Sequence, residues 1–191
     1  GVSEYTDLKS VRPLRGPGND VALMRDALLR VRAGWREIEV LADGADRADG
    51  IPTRGAIMET LQRIGNSSRP NDMLVVHFSG YGSQQPSGNG LEEILLPKDA
   101  GKWDASAGRV KNAITRSELH ALLAPVAAKG VRVWLILDTA FSDAASGGSL
   151  YGGYEGTRWA RPVDLGIPPS GGNVGSGADG ESGVRGPAGT N

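Results

Sequence analysis

The side chains able to do covalent or acid–base chemistry are few in this 191-residue chain. There is no cysteine, so the chain carries no thiolate nucleophile, disulfide or cysteine-ligated metal. The hydroxyls of interest, Ser79, Thr139 and Ser142, follow two apolar runs, residues 73–78 and 131–137. Each run has the length and β-branched content of a strand buried on both faces. In open parallel sheets ligands bind beyond the carboxyl ends of the strands. Two neighbouring strands would bring Tyr81 and Ala140 to that place, and neither is reactive. Alanine offers a methyl group without a lone pair, and a phenol with a pKa near 10 is a poor base at neutral pH. A serine nucleophile would need a base, and the two histidines are His77 and His120. His77 lies inside its run and reads as a packed strand residue; His120 falls on a helical stretch and reads as surface. The carboxylates Asp20, Asp99 and Asp138 complete the candidate set.

The surrounding pattern alternates helix and strand. Val21, Met24, Leu28 and Val31 recur at helical spacing, so residues 20–32 should be an amphipathic helix capped by Asn19 or Asp20 and stopped by Gly34. Residues 37–41 alternate as a strand does. Thr53 caps a second helix with Ile57, Leu61 and Ile64 on one face, closed at Gly65-Asn66. Gly80 and Gly82 free the backbone at the corner that carries Tyr81. The long connection at residues 83–112 should hold small strands, one at 91–96. Thr115-Arg116-Ser117-Glu118 is a capping box that opens a third helix, which Pro125 kinks or shortens. Trp134 belongs to a buried strand. Residues 144–154 are small and Gly-rich, residues 159–167 carry apolar anchors, and the Gly-rich stretch from 166 onward reads as linker or tail. The order implies an α/β layered fold with right-handed crossovers.

Net charge is −1 with an isoelectric point near 6.2. That balance gives no footing for nucleic acid or an acidic membrane surface. No apolar run reaches the roughly 20 residues of a membrane helix. A cytoplasmic location is expected. No phosphate loop or zinc helix is present. The carboxylates at Glu92-Glu93 and from Asp99 to Asp104 lack the spacing of a calcium loop, so no metal or cofactor is expected and calcium alone is left open.

Five segments resemble, in order, the caspase-like clan, and within it the bacterial, metacaspase-type (orthocaspase-like) branch. Gly1-Val2-Ser3-Glu4-Tyr5 resembles the end of that family's first strand, and Leu14-Arg15-Gly16-Pro17-Gly18-Asn19-Asp20 its Leu-x-Gly-x-x-Asn-Asp segment. Asp72 to Gly82 resembles the Ser-Gly-His-Gly strand end, and Leu95-Leu96-Pro97-Lys98-Asp99 the Leu-x-Pro-x-Asp segment. Leu135 to Ser142 resembles the Asp-Ser-Cys-His-Ser-Gly nucleophile turn. The resemblance covers residues 1–143. It implies a three-layer fold with a mainly parallel sheet, six strands in the complete family domain, between helices. Residues 1–165 would be a large-subunit-like caspase domain with its first strand truncated, and 166–191 the linker or tail.

By the same resemblance, the general-base histidine falls on Tyr81 and the nucleophilic cysteine on Ala140, while Phe141 and Asp143 replace a histidine and a glycine. The family mechanism needs a thiolate and its base, so peptide hydrolysis should be absent. The family's acidic pocket for a substrate Arg or Lys falls on Asp20, Ser79 and Asp138, where two carboxylates could hold a guanidinium bidentately. The competing reading is that Asp20 caps its helix and Asp138 ties down its own turn; Asp99 reads as a loop-fixing carboxylate. The expected function is a catalytically inactive regulatory or peptide-binding module with a basic peptide or protein as partner. The alternatives are a genuine cysteine endopeptidase whose nucleophile was replaced by engineering, and a structural subunit paired with an active caspase-like chain.

Overall fold

The computed structural model describes residues 1–31, 34–88, 90–142 and 157–169. Asp143, the Gly-rich stretch 144–154 and the tail from residue 170 lie outside them. Two parallel strands form the centre: β1 (Met73–Ser79) and β7 (Arg132–Asp138), paired from Met73 with Arg132 to Ser79 with Asp138. Their ends are level, so Tyr81 and Ala140 do leave the sheet at the same edge.

Helix α1 (Pro17–Arg30) begins three residues before the expected start. Its N-cap is Gly16, which makes no side-chain cap, and Pro17 supplies the pre-set first turn. Asp20 therefore sits inside the first turn and does not cap the helix. Helix α2 (Arg54–Ser67) is capped by Thr53, whose hydroxyl accepts from the Ala56 N–H at 3.2 Å. It runs through Gly65 instead of ending there. Helix α3 (Arg116–Ala128) packs so close that a Cβ on Gly65 would lie 2.7 Å from Val126 Cγ2. The expected capping box is present at Thr115 and Glu118, and α3 continues past Pro125 to Ala128.

The long connection folds as expected into small strands, but into more of them. β2 (Gly82–Ser87) and β3 (Gly90–Leu95) form an antiparallel hairpin, and β6 (Ile114–Thr115) pairs on β3. β4 (Trp103–Asp104) and β5 (Arg109–Val110) make a small second hairpin. The main apolar cluster lies under these hairpins and the N-terminal loop, with Val2, Leu8, Ile94, Leu96, Val110, Ile114 and Leu165 fully buried.

Two expectations about strands need correction. Residues 37–41 alternate but make only one bridge, from Leu41 to Gly50. No described strand lies alongside them, and between them and β1 is a cavity of about 460 Å³ lined by Met24, Leu28, Trp35, Val40 and Met73 among others. β7 is not a buried strand. It has one neighbour among the described residues, and Trp134 is 58% exposed and Leu135 40%. Burial comes from layers above and below a sheet, which a strand's own sequence cannot supply.

A partly buried clamp holds the long connection to α2 and α3. Arg54 donates to both carboxylate oxygens of Glu118 at 2.8 and 3.0 Å and to the Ala113 carbonyl at 2.7 Å. Arg109 donates to Glu118 at 3.2 Å and to the same Ala113 carbonyl at 2.8 Å. Partial burial opposes ionisation of Glu118, but the Arg54 hydrogen bonds, the Thr115 N–H and Arg109 outweigh it and hold its pKa down at about 2. Asp99 is the loop-fixing carboxylate expected: it accepts from the Arg54 N–H at 2.8 Å and Asn112 Nδ2 at 3.1 Å.

Because the folded-state pKa of Glu118 is depressed, its contribution is complete above the ordinary value of 4.5 and is lost as pH falls toward about 2. Glu118→Gln should cost about 1–2 kcal/mol at pH 7, the scale of hydrogen bonds to a charged group plus a cap. Urea unfolding should show that deficit shrinking between pH 5 and pH 2; a pH-independent deficit would contradict the assignment.

Candidate functional site

The site lies where β1 and β7 end. Ser79, the last residue of β1, is fully buried, and its hydroxyl donates to Asp20 Oδ2 at 3.0 Å. Asp138, the last residue of β7, turns its carboxylate toward the same point. The three expected pocket residues converge, and the object they converge on is a guanidinium of this chain. Arg158 Nη2 donates to Asp20 Oδ2 at 2.6 Å, and Nη1 donates to Ser79 Oγ, to Asp138 Oδ2 and to the Asp138 carbonyl at 3.2 Å. The Arg158 side chain is 18% exposed, against 26% for Asp20 and 47% for Asp138. The reading of Asp20 as a helix cap is thereby replaced, and the Asp138 carboxylate serves Arg158.

The backbone of Arg158 is held as firmly as its side chain. Its carbonyl accepts from the N–H of Gly82 at 3.0 Å and of Ala140 at 3.1 Å, with the Thr139 hydroxyl donating at 3.4 Å. Two backbone donors converging on one carbonyl oxygen is the arrangement that stabilises an oxyanion in acyl transfer. Two residues on, the Ala160 N–H donates to the Gly82 carbonyl at 2.9 Å and Ser83 Oγ donates to the Ala160 carbonyl at 2.7 Å. A 3-10 helix at Pro162–Leu165 follows, tied by Ser10 Oγ donating to the Asp164 carbonyl at 2.7 Å. Leu165 and Ile167 are buried, so packing continues past the expected boundary at 165. Residues 157–169 form a strap across the site.

Two glycines allow close approach around the site, Gly16 to the strap and Gly82 to the turn after β7. A Cβ on Gly16 would lie 2.8 Å from Arg158 Nη2, and one on Gly82 would lie 2.7 Å from both the Ala140 carbonyl oxygen and Thr139 Oγ1. Neither Gly80 nor Gly82 has a positive φ. They serve close approach, not the backbone freedom expected of them.

Tyr81 and Ala140 occupy the corners just beyond the two strand ends. Tyr81 is buried in the main cluster, with its ring 5.5 Å from that of Tyr5. Burial raises its pKa above the usual phenol value, so it stays protonated at neutral pH. Its N–H donates to the Tyr5 hydroxyl at 2.8 Å. Ala140 contributes its N–H and a methyl group. His77 Nδ1 is buried without a hydrogen-bond partner, and burial lowers its pKa. His120 is on the exposed face of α3. Glu92 and Glu93 pair with Ser117 and Arg116, and Asp104 fixes its own turn through Ser106 and Ala107. No cluster of three or more His, Asp or Glu among the described residues is placed to hold a metal.

A family profile described as "Metacaspase, peptidase C14 domain" matches residues 2–147. The chain belongs to the metacaspase family. A metacaspase-1B of Aspergillus fumigatus is 32% identical over 139 residues, 69% of this chain and 32% of that protein. A metacaspase-1 of Scheffersomyces stipitis is 29% identical over 142 residues, 71% of this chain and 33% of its own. The chain thus spans about a third of the length of these curated relatives. They are fungal, and nothing in them favours the bacterial branch. A solved structure of a protein from Geobacter sulfurreducens superposes with a TM-score of 0.57 at 18% identity, covering 86% of this chain and 56% of its own. That likeness shows the fold, a mixed α/β domain with a parallel sheet and helices, consistent with the caspase-like class.

Of the site residues expected in this metacaspase domain, Asp20, Ser79 and Asp138 are brought together, and Tyr81 and Ala140 stand at the ends of their strands. Arg158 was missed. Its local sequence, Thr157-Arg158-Trp159, carries no motif; the one available signal was the apolar content of residues 159–167, which says that the segment packs but not what precedes it.

Gly82→Ala should destabilise the domain by about 1–3 kcal/mol, the cost of overpacking a tight site. Gly55→Ala is the control: its Cβ would meet nothing within 4 Å, and in the first turn of α2 it should be neutral or stabilise by about 0.5 kcal/mol. Equal urea midpoints for the two variants would contradict the packing described at Gly82.

Proposed function

We propose that this metacaspase-family domain is a catalytically inactive, cytoplasmic module that grips an arginine- or lysine-containing segment of a protein partner without cutting it. The observation that carries the reading is the seating of Arg158. Asp20, Ser79 and Asp138 make a charge-assisted, directional grip on a guanidinium. Its carbonyl meets two N–H donors where a scissile peptide would need them. Beside this binding apparatus, Tyr81 is buried and protonated and Ala140 has no nucleophilic atom. Binding without a nucleophile lowers no barrier to hydrolysis.

Arginine should bind better than lysine, because the planar fork meets two carboxylates and a hydroxyl at once while an ammonium is a point charge. Replacement of the nucleophile by engineering would account for Ala140 but not for Tyr81, Phe141 or Asp143, and degeneration accounts for all four. A structural role beside an active metacaspase chain finds support in β7, whose Trp134 and Leu135 are exposed beside a strand with one neighbour among the described residues.

Calorimetric titration with short arginine peptides is expected to give saturable heat that disappears in Asp138→Ala. Steady heat after saturation, or a cleaved product by mass spectrometry, would overturn the inactive reading. Saturable binding unchanged in Asp138→Ala would overturn the acidic grip.

A further inference from the structure

The strap raises a question that the binding site alone does not. Its Arg158 side chain fills the acidic grip, its carbonyl fills the two-donor site, and Ala160 pairs with Gly82 on the far side. Side chain, carbonyl and following residue are all engaged at once, as a bound and uncut peptide would be. The occupant comes from the same chain, eighteen residues after Ala140 in sequence. A tethered ligand competes with any free one at an effective concentration in the millimolar range.

Resting on the reading of the cleft given above, we propose that residues 157–169 are an intramolecular latch. They occupy the cleft in the register of an uncut peptide, and a basic segment of a partner protein must displace them to bind. The exchange is like for like: one guanidinium leaves Asp20, Ser79 and Asp138 as another arrives, so neither carboxylate is left uncompensated. The partner's affinity is then reduced by the fraction of molecules in the closed state. Displacement also releases the pairing at Ala160 and the contact of Trp159 with Gly82. Arrival of a basic segment on one side thus frees a segment of this chain on the other. The anchors Leu165 and Ile167, buried and farther along, let the strap swing from its C-terminal side. With no nucleophile at position 140, the latch is not consumed by opening, and it recloses when the partner leaves.

The test uses the full chain and N-acetyl-arginine amide as the probe, comparing the native protein with Arg158→Ala and, in case alanine unfolds it, Arg158→Gln; circular dichroism checks folding. Calorimetry reads affinity, and limited chymotrypsin digestion with mass spectrometry reads cleavage after Trp159. The latch predicts at least tenfold tighter binding in the Arg158 variants. It also predicts that in the native protein the probe speeds cleavage after Trp159 at least fivefold. Equal affinity in native and variant proteins, with Trp159 still protected at saturating probe, would overturn the latch and leave the peptide-binding reading standing. No saturable binding to any folded variant would overturn that reading and the latch with it.

Discussion

One guanidinium shared by two carboxylates and a buried hydroxyl is the interaction on which the rest of the site depends. Asp20 comes from the first turn of α1, Ser79 from the end of β1, Asp138 from the end of β7, and Arg158 from the strap. Each is placed by a different element. Two carboxylates facing one point repel unless a cation stands between them. Arg158 thereby ties α1 to both strand ends, and a Cβ on Gly16 would lie 2.8 Å from its Nη2. Being partly exposed, the ion pair owes its value to the fork geometry and the buried Ser79 hydroxyl more than to bare attraction.

The groups that could react at this corner and the groups that hold Arg158 are different atoms. A nucleophile or base has to be a side chain, and Tyr81 and Ala140 offer a phenol and a methyl group. The two donors to the Arg158 carbonyl are backbone N–H groups of Gly82 and Ala140, whose positions follow from where the strands end and not from what side chain is attached. An Ala at 140 presents its N–H as well as a cysteine would. Tyr81 packs in the core beside Tyr5, and its N–H donates to the Tyr5 hydroxyl, so the corner that carries Gly82 is anchored to the N-terminal loop.

That corner is supported from behind. The excursion from Gly82 to Thr115 is long for a connection between two strands, and it remains ordered because its polar groups are used. Gln85 Oε1 accepts from the Val110 N–H at 2.9 Å, and Arg54, Arg109 and Glu118 bind the C-terminal part of the excursion, at Arg109 and Ala113, to α2 and α3. The β2 hairpin packs against the 3-10 helix of the strap, where Leu165 is fully buried.

The sequence by itself determined what is local or periodic. The strand at residues 73–79, the Thr53 cap and the Thr115–Glu118 capping box were all legible, because each depends on neighbours within a few residues. The convergence of Asp20, Ser79 and Asp138 was reached through family resemblance, since nothing local joins residues so far apart. Only the tertiary structure decided the rest. Residues 37–41 have a strand's alternation but no described strand beside them, β7 has a core strand's composition but exposed faces, and Gly65 stays helical because Val126 packs on it. Above all it decided that the acidic site holds Arg158, because an ion pair between residues 20 and 158 depends on where the folded chain returns, which no local pattern encodes.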